Sequence, residues 1–215
     1  MAVALSKEEL NNIIAERVAK ELQSGDVVNL GIGVPTLVAN YVPSDIDVTL
    51  HSENGILNLG GSPAEDQVDP NIINAGGQPA SVDVGGAFLH SADSFGLVRG
   101  GHVDITVLGA LQVDEKGNIA NYKIPGKLVP GMGGAMDLVA GAKRVIVAME
   151  HTNKGKHKIL KQCTLPLTGE GRVSLIVTEM GVFEPTERGL VVVETNPDFT
   201  NEEIQEATEA ELIFE

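Results

Sequence analysis

The apolar residues near the start of the chain repeat at the spacing of an α-helix. The recurring positions, three to four residues apart on one helical face, are Leu10, Ile13, Ile14, Val18 and Leu22. Ser6, followed three residues later by Glu9, has the pattern of a capping box, which marks the start of a helix. The pattern therefore predicts a helix that begins after Ser6 and runs to about Gln23.

The rest of the chain alternates apolar runs with helical patterns, and glycines separate them. The apolar runs predict strands at 27–30, 47–50, 103–110, 144–149, 173–178 and 190–194. The helical patterns predict helices from Pro35 and at 92–98, 135–141 and 201–209, the last behind a second capping box. Alternation of this kind indicates a mostly parallel sheet covered by helices. No repeat or long linker divides residues 1–215, so we expect a single domain.

Charge and composition narrow the classes of function. A net charge of −15 and 3% aromatic residues argue against nucleic-acid binding. Residues 121–172 nevertheless carry nine basic and three acidic side chains, which suit either a small polyanion or, as we favour, solvated strand ends. The longest strongly apolar run, 145–149, is far below the roughly 18 residues of a membrane span. One cysteine, Cys163, and an opening that does not resemble a secretory signal predict a cytoplasmic protein.

Three glycine-rich segments follow predicted strands and are candidates for a site. They are NLGIGVP at 29–35, SENGILNLGG at 52–61 and PGMGGAMD at 130–137. In the first, glycine allows backbone N–H groups to approach a ligand, and the helix start favours a phosphate or carboxylate. The alternative is a tight connection between strand and helix with no ligand. The segment lacks the third glycine of a dinucleotide-binding fingerprint.

The other two segments offer a carboxylate and a row of amides. Glu53 comes directly after a predicted strand, where a partly desolvated carboxylate can act as a nucleophile on an activated acyl group. A lone glutamate, however, more often caps a turn or faces water. The N–H groups of Gly133, Gly134 and Ala135 could form an oxyanion hole. The alternative for them is a glycine-rich helix start with Asp137 in its first turn.

Other reactive side chains are weaker candidates. The five histidines, none with a close acidic partner at metal-ligand spacing, are His51, His90, His102, His151 and His157. We therefore expect no metal site. Cys163 paired with a histidine lacks a third residue to orient the pair, so a cysteine nucleophile is not expected either.

Together, several segments resemble the B (beta) subunit of the 3-oxoacid CoA-transferase family, and they cover nearly the whole chain. The segments are NLGIGVPTLVANY, SENGILNLG, NAGGQP, RGGHVDITVLGALQVDEKGN, PGKLVPGMGGAMDLV and MEHTNKGKHKILKQCTLPLTG. The resemblance implies an α/β fold with an open, mostly parallel sheet and helices on both faces, shared with sugar-phosphate isomerases. It also implies a ping-pong transfer in which Glu53 forms a thioester with CoA while Gly134 and Ala135 stabilise the oxyanion.

The resemblance further implies how substrates and partners are bound. Asn29, Gly31 and Gly33 would lie along CoA, with Asn54 and Gly133 as further contacts. CoA and acyl-CoA would be substrates, with no permanently bound cofactor. A separate A (alpha) subunit would complete an A2B2 heterotetramer. The resemblance does not settle which acids are donor and acceptor, because acetate, butyrate, succinate and 3-oxoadipate enzymes share these motifs; we favour acetoacetate with acetate or butyrate. Two alternatives stay open: a sugar-phosphate isomerase or deaminase of related fold, and a non-catalytic scaffold subunit.

Overall fold

A computed structural model of the chain describes residues 6–127, 129 and 131–214. Its α-helices are α1 (Lys7–Ala19), α2 (Val34–Leu37), α3 (Ser91–Arg99), α4 (Ala135–Gly141) and α5 (Asn201–Glu206), and short 3-10 helices span Val38–Tyr41 and Glu65–Gln67. Its strands are β1 (Val27–Leu30), β2 (Thr49–Ser52), β3 (Ile56–Leu59), β4 (Val82–Phe88), β5 (Ile105–Leu108), β6 (Gln112–Asp114), β7 (Ile119–Ala120), β8 (Arg144–Ala148), β9 (Thr152–Asn153), β10 (Lys156–His157), β11 (Ile159–Leu160), β12 (Val173–Val177), β13 (Gly181–Thr186), β14 (Gly189–Thr195) and β15 (Leu212–Phe214).

The main sheet has ten strands in the order β15-β14-β13-β12-β8-β5-β1-β2-β3-β4. The five central strands, from β12 to β2, all run parallel to one another, while β3, β4 and β13 pair antiparallel with their neighbours. The chain first leaves β1 towards β2 and later returns to the other side of β1 as β5. The order therefore reverses at β1, and in such sheets ligands bind beside the carboxyl ends of the strands at this point.

Helices cover both faces of this sheet. On β8, Val145 and Val147 pack into the apolar layer that contains side chains of α3, α4 and α5. The alternate residues Ile146 and Ala148 pack into the opposite layer, which contains α1. A strand whose two faces are both buried has a continuous apolar sequence, as residues 145–148 of β8 do. The predicted fold class, a largely parallel sheet with helices on both faces, is confirmed.

Helix α1 confirms its predicted start and corrects its predicted end. The Glu9 N–H donates to Ser6 Oγ at 3.3 Å and the Ser6 N–H donates to Glu9 Oε2 at 2.7 Å, which completes the capping box. The helix ends at Ala19 rather than near Gln23, because the following amides bond three residues back. Leu22 is still buried, and this is why the apolar pattern outlasts the helix.

Several strands were misplaced or missed by the sequence pattern. Strand β2 lies at 49–52 instead of 47–50, and β5 is shorter than the predicted 103–110. The later start of β2 leaves Glu53 directly after the strand. Helix α5 ends at Glu206 instead of 209, and β3, β4 and β13 were not predicted. None of the helices in the described ranges has the length and apolar character needed to cross a bilayer.

Candidate active site at the carboxyl ends of the central strands

A cavity of about 670 Å³ opens at the carboxyl ends of β1, β2 and β5. Its walls come from the residues that follow these strands, from the glycine segment 131–135 and from the loop at 74–80. Among the described residues that line it, Glu53 is the only acidic side chain, and there is no lysine or arginine. The cavity thus surrounds one half-buried carboxylate with apolar groups, amides and glycine backbone.

The turn after β2 holds Glu53 in place. The Gly55 N–H donates to the Ser52 carbonyl at 2.9 Å, and Gly55 has φ +126°, a conformation that favours glycine. The loop in front of the cavity is attached to the same turn, because the Ala75 N–H donates to Ser52 Oγ at 2.9 Å. Asn54 also binds this loop: its side-chain amide donates to the Ile73 carbonyl at 2.7 Å. Glu53 therefore projects from a rigid turn.

Two different groups meet the two carboxylate oxygens of Glu53. Asn29 donates a hydrogen bond from Nδ2 to Glu53 Oε2 at 3.0 Å. A Cβ atom placed on Gly134 would lie only 3.0 Å from Glu53 Cγ and 3.1 Å from Oε1. Only glycine lets the α4 start come this close without displacing the glutamate. The structure thus brings together Glu53 and Gly134, which the sequence had placed in separate segments.

The backbone amides at the start of α4 are not equivalent. The Ala135 N–H donates to the Met132 carbonyl at 2.9 Å. The Gly134 N–H has no acceptor among the residues that the structure describes. Gly133, with φ +50°, lines the cavity, while Pro130 of this segment lies outside the described residues. Of the three predicted donors, Gly134 is therefore the one both beside Glu53 and free of an internal acceptor.

The first glycine segment serves the sheet as well as the cavity. The Gly31 N–H donates to the Val107 carbonyl at 2.8 Å, and a Cβ there would lie 3.0 Å from that oxygen. This glycine is needed for close packing, and its amide is already bonded. Gly33 has φ +91° with open space around it. Asn29 is fully buried, so its side chain lies beneath the cavity instead of on its surface. Roles of these residues in binding CoA stay predictions.

Two side chains beneath the cavity were missed by the sequence reasoning. His51, on β2, lies with Nε2 2.8 Å from Ser94 Oγ of α3 and with Nδ1 3.4 Å from Asn29 Nδ2. Burial lowers the pKa of the His51 imidazole, an effect that the Glu53 carboxylate partly opposes. The alternation of β2 puts His51 and Glu53 on one face, but nothing in the sequence links either to Ser94.

The remaining reactive side chains lie in structural settings. Burial, together with the Asp114 carboxylate, raises the pKa of the Cys163 thiol to about 12, so this cysteine stays protonated and is a poor nucleophile. Both ring nitrogens of His151 lie within 2.9 Å of threonine hydroxyls, Thr178 and Thr208. Within the described ranges, no group of three or more histidine, cysteine or acidic side chains is arranged to hold a metal ion.

Solved structures share the fold of this chain. The acyl-CoA transferase YdiF of Escherichia coli O157:H7, as the apoenzyme, superposes with a TM-score of 0.78 at 22% identity over 100% of this chain, which spans only 43% of that longer protein. The decarboxylase AibA/AibB superposes with a TM-score of 0.69 at 20% identity over 95% of this chain and 85% of that chain. These likenesses establish the fold, and the second shows that the fold also hosts other chemistry.

Sequence relatives are much closer. The chain is 54% identical over 202 residues to the beta subunit of the acetate CoA-transferase of Haemophilus influenzae, covering 94% of this chain and 90% of the relative. It is 49% identical over 204 residues to the B subunit of the succinyl-CoA:3-ketoacid coenzyme A transferase of Helicobacter pylori (94% and 98%) and 48% identical over 213 residues to the B subunit of the 3-oxoadipate CoA-transferase of Pseudomonas putida (98% and 100%). The profile of the family described as Coenzyme A transferase matches residues 11–207. The chain belongs to the coenzyme A transferase family.

Proposed function

We propose that this chain is the catalytic subunit of a short-chain acyl-CoA:carboxylate CoA-transferase and that Glu53 is its nucleophile. The observation that carries the proposal is the position of Glu53. It is the single acidic group on the described lining of a cavity at the switch point of the sheet, and it lies against Gly134. A carboxylate with no cationic partner keeps its electron pairs available for attack on an acyl carbon.

The transfer runs through two acyl exchanges. A carboxylate oxygen of Glu53 attacks the thioester carbonyl of an acyl-CoA, and the CoA thiolate leaves to give a mixed anhydride. The thiolate then attacks the Glu53 carbonyl carbon, and the substrate acid leaves as its carboxylate. The product is a Glu53–CoA thioester, which an incoming carboxylate converts back by the same steps in reverse. Each step replaces one activated acyl bond by another, so excluding water keeps the thioester from hydrolysis.

The neighbours of Glu53 indicate which oxygen attacks. Oε2 accepts the hydrogen bond from Asn29, whereas Oε1 accepts none from the described residues and lies beside Gly134. Oε1 is therefore the attacking atom. The oxyanion that develops is stabilised by the Gly134 N–H and by the Ala135 N–H once it releases Met132, each such donor being worth on the order of 3 kcal/mol in the transition state.

The lining of the cavity suits the uncharged part of CoA. Its amides, glycines and apolar groups fit the pantetheine arm, and of the predicted CoA contacts Gly31 and Gly133 line it. Gly33 and Asn54 lie outside this lining, so any contact of theirs with CoA is made beyond the cavity. The phosphates of CoA are then held outside this cavity, by basic side chains of 121–172 or by a partner. The relatives are named as B or beta subunits, which supports a separate A subunit. We place the enzyme, as an A2B2 heterotetramer, in the cytoplasm.

The relatives are named for acetate, 3-ketoacid and 3-oxoadipate transfer, and we propose acetoacetate with acetate or butyrate for this chain. Small differences in the shape of the acyl pocket decide between these acids, since one methylene group in the substrate changes its binding free energy by about 1 to 3 kcal/mol. Steady-state rates of the pair co-expressed with its A subunit, measured on a panel of CoA esters and acids, test it. Parallel double-reciprocal lines are expected, as in a ping-pong reaction. Intersecting lines would overturn the ping-pong mechanism. Highest rates with another pair of acids would overturn the proposed substrates.

The same complex discriminates between the alternatives. If the chain were a sugar-phosphate isomerase, it would convert a sugar phosphate without CoA. If it were a scaffold, the Glu53→Ala complex would keep its CoA-transfer activity. We expect neither, because both interpretations leave the half-buried Glu53 and the close approach of Gly134 without a purpose.

A further inference from the structure

A row of buried polar side chains lies directly beneath Glu53. Asn29 and His51 are register partners on β1 and β2, and Ser94 of α3 lies against His51. Asn29 and Ser94 are fully buried and His51 is 2% exposed. Burying such groups costs free energy unless each one is hydrogen-bonded, so an apolar layer would serve the core as well. The row therefore calls for an explanation beyond packing.

The hydrogen bonds of this row run in one direction. Asn29 Nδ2 lies 3.0 Å from Glu53 Oε2, 3.1 Å from the His51 carbonyl oxygen and 3.4 Å from His51 Nδ1. The first two are acceptors only, so the amide nitrogen must face them. The two hydrogens of the Asn29 NH2 group are thus shared among three acceptors, of which His51 Nδ1 is the most distant at 3.4 Å. His51 Nδ1 must be the unprotonated nitrogen, because a hydrogen on it would meet those of the amide. Its Nε2–H donates to Ser94 Oγ at 2.8 Å, and the Ser94 hydroxyl donates to the Ser52 carbonyl at 3.5 Å.

The opposite orientation of the Asn29 amide conflicts with a charged Glu53. A rotated amide would place Oδ1 against the Glu53 carboxylate and the His51 carbonyl, so that acceptors would meet acceptors. A protonated His51 would present an Nδ1–H to the Asn29 NH2 group, so that donors would meet. Asn29 Oδ1 and the hydroxyl of its register neighbour Thr106 are both buried without a partner in the described part of the chain. The amide orientation thus depends on its nitrogen side, where His51 and Glu53 lie.

We infer that His51, supported by Ser94, is a positioning residue for the transfer reaction: it holds the Asn29 amide so that Nδ2 binds Glu53 Oε2 and Oε1 stays turned towards Gly134. This inference rests on the proposed role of Glu53 as nucleophile. His51 borders the cavity with only 2% of its surface exposed, and it acts on Glu53 through Asn29. Among the described residues, the charged side chain that acts on His51 is Glu53, and the side chains in polar contact with its ring are Asn29 and Ser94.

The inference is tested by substitutions that remove or keep the accepting atom. His51→Leu removes the acceptor in a side chain of similar bulk, whereas His51→Gln retains a carbonyl oxygen that can accept from Asn29. Ser94→Ala leaves His51 in place but removes its support. The readout is the single-turnover rate at which the co-expressed A and B subunits form the Glu53–CoA thioester, followed by quenching and peptide mass. It is accompanied by the KM for acyl-CoA and the thermal midpoint.

His51→Leu is expected to slow thioester formation roughly 10- to 100-fold, because a misaligned nucleophile loses its near-attack geometry, while KM changes less than about two-fold. Ser94→Ala is expected to slow it less, and His51→Gln to recover most of the rate. The double variant His51→Leu/Ser94→Ala should be no slower than His51→Leu alone, because Ser94 acts only through His51 in the hydrogen-bonded row.

Different results would overturn the catalytic role of Glu53 and the positioning role of His51. A wild-type complex that transfers CoA without forming a thioester at Glu53 would overturn the proposed function. A wild-type complex that forms it, together with a His51→Leu complex that forms it equally fast, would overturn only the role of His51. The same holds if His51→Gln is as slow as His51→Leu, or if the loss lies in KM. Should His51→Leu fail to assemble, an unchanged rate in Ser94→Ala would contradict the inference.

Discussion

Two histidines are buried at the carboxyl ends of central strands, and their surroundings differ in one respect. His51, at the end of β2, belongs to a hydrogen-bonded row that leads through Asn29 to a carboxylate in an open cavity. His151, just after β8, bonds to Thr178 at 2.9 Å and Thr208 at 2.8 Å and packs edge-on against Phe183 with ring centroids 5.3 Å apart. The first network ends at a reactive group, and the second closes within the core.

The carboxylates beside these histidines follow the same division. Glu53 meets a glycine and a neutral amide. Near His151, the Glu179 carboxylate accepts the His151 backbone N–H at 2.8 Å, and Glu150 pairs with Lys7 at 3.3 Å. A carboxylate engaged by a cation or by structural amides is a weaker nucleophile than one held by a single neutral donor. Glu53 is therefore the more reactive carboxylate, because no cation or structural amide among the described residues engages it at the end of its strand.

Removing the carboxylate of Glu53 should reduce kcat far more than removing that of Glu150. Glu53→Gln should lower kcat of the co-expressed complex by at least about 1,000-fold, a barrier increase of about 4 kcal/mol, because no nucleophile remains. Glu150→Gln, the matched control at the other strand end, should keep kcat within about two-fold, since Glu150 lies outside the cavity lining. A Glu53→Gln complex with a tenth or more of the wild-type rate would contradict the division.

The second effect concerns the close approach of Gly134. Gly134→Ala should lower kcat roughly 10- to 100-fold, because a Cβ would lie 3.0 Å from Glu53 Cγ and must displace the glutamate from the amides. Gly96→Ala on α3 is the control, since its Cβ would meet nothing within 4 Å. The measurement is the steady-state kcat of both variants, each in the complex with the A subunit. Equal rates in the two would show that the contact with Gly134 has no catalytic role.

The third effect is a pH dependence of stability at His151. Burial, aided by His157 and Lys158, lowers the pKa of His151 to about 4 from an ordinary value of 6.5. The folded state therefore resists protonation, and stability present above pH 6.5 is lost as the pH falls from 6.5 towards 4, by about 3 kcal/mol in all. Urea unfolding across this range should show the loss in the wild type and a flatter profile in His151→Leu. Parallel profiles would contradict this assignment.

The smallest expected effect is that of His151→Leu at neutral pH. The hydroxyls of Thr178 and Thr208 would lose their ring partners, at a cost of about 1 to 3 kcal/mol in the free energy of unfolding. The kcat of the assembled enzyme should stay within about two-fold, in contrast with His51→Leu. A large loss of kcat without a loss of stability would mean that the second network also serves the reaction.

The sequence predicted those features that depend on neighbours along the chain. Both capping boxes are present as hydrogen bonds, at Ser6 with Glu9 and at Thr200 with Glu203. Glu53 directly follows a strand as expected, although the pattern placed that strand two residues too early. Features that depend on packing were missed. Strand β13 contains Pro185, and a proline weakens the sequence pattern of a strand. The strand forms nevertheless, because Pro185 lies near the hairpin end, where it pairs with Leu190.

The site shows the same limit. Glu53 and Gly134 lie 81 positions apart along the chain, and only the resemblance to a family paired them. The contact of His51 with Ser94 carries no sequence signal, because it depends on where α3 packs on the sheet. The sequence also could not indicate that the amides of Gly31 and Ala135 are already bonded, whereas the Gly134 N–H beside Glu53 has no acceptor among the described residues.

The central claim is that Glu53 itself becomes the carrier of CoA. Its most direct test incubates the co-expressed A and B subunits with acetoacetyl-CoA in the absence of an acceptor acid, reduces the product with borohydride and maps the peptides by mass. We predict that the carboxyl group of Glu53 is converted to an alcohol and that activity falls in proportion. An enzyme that transfers CoA while its Glu53 peptide stays unmodified under these conditions would contradict the account.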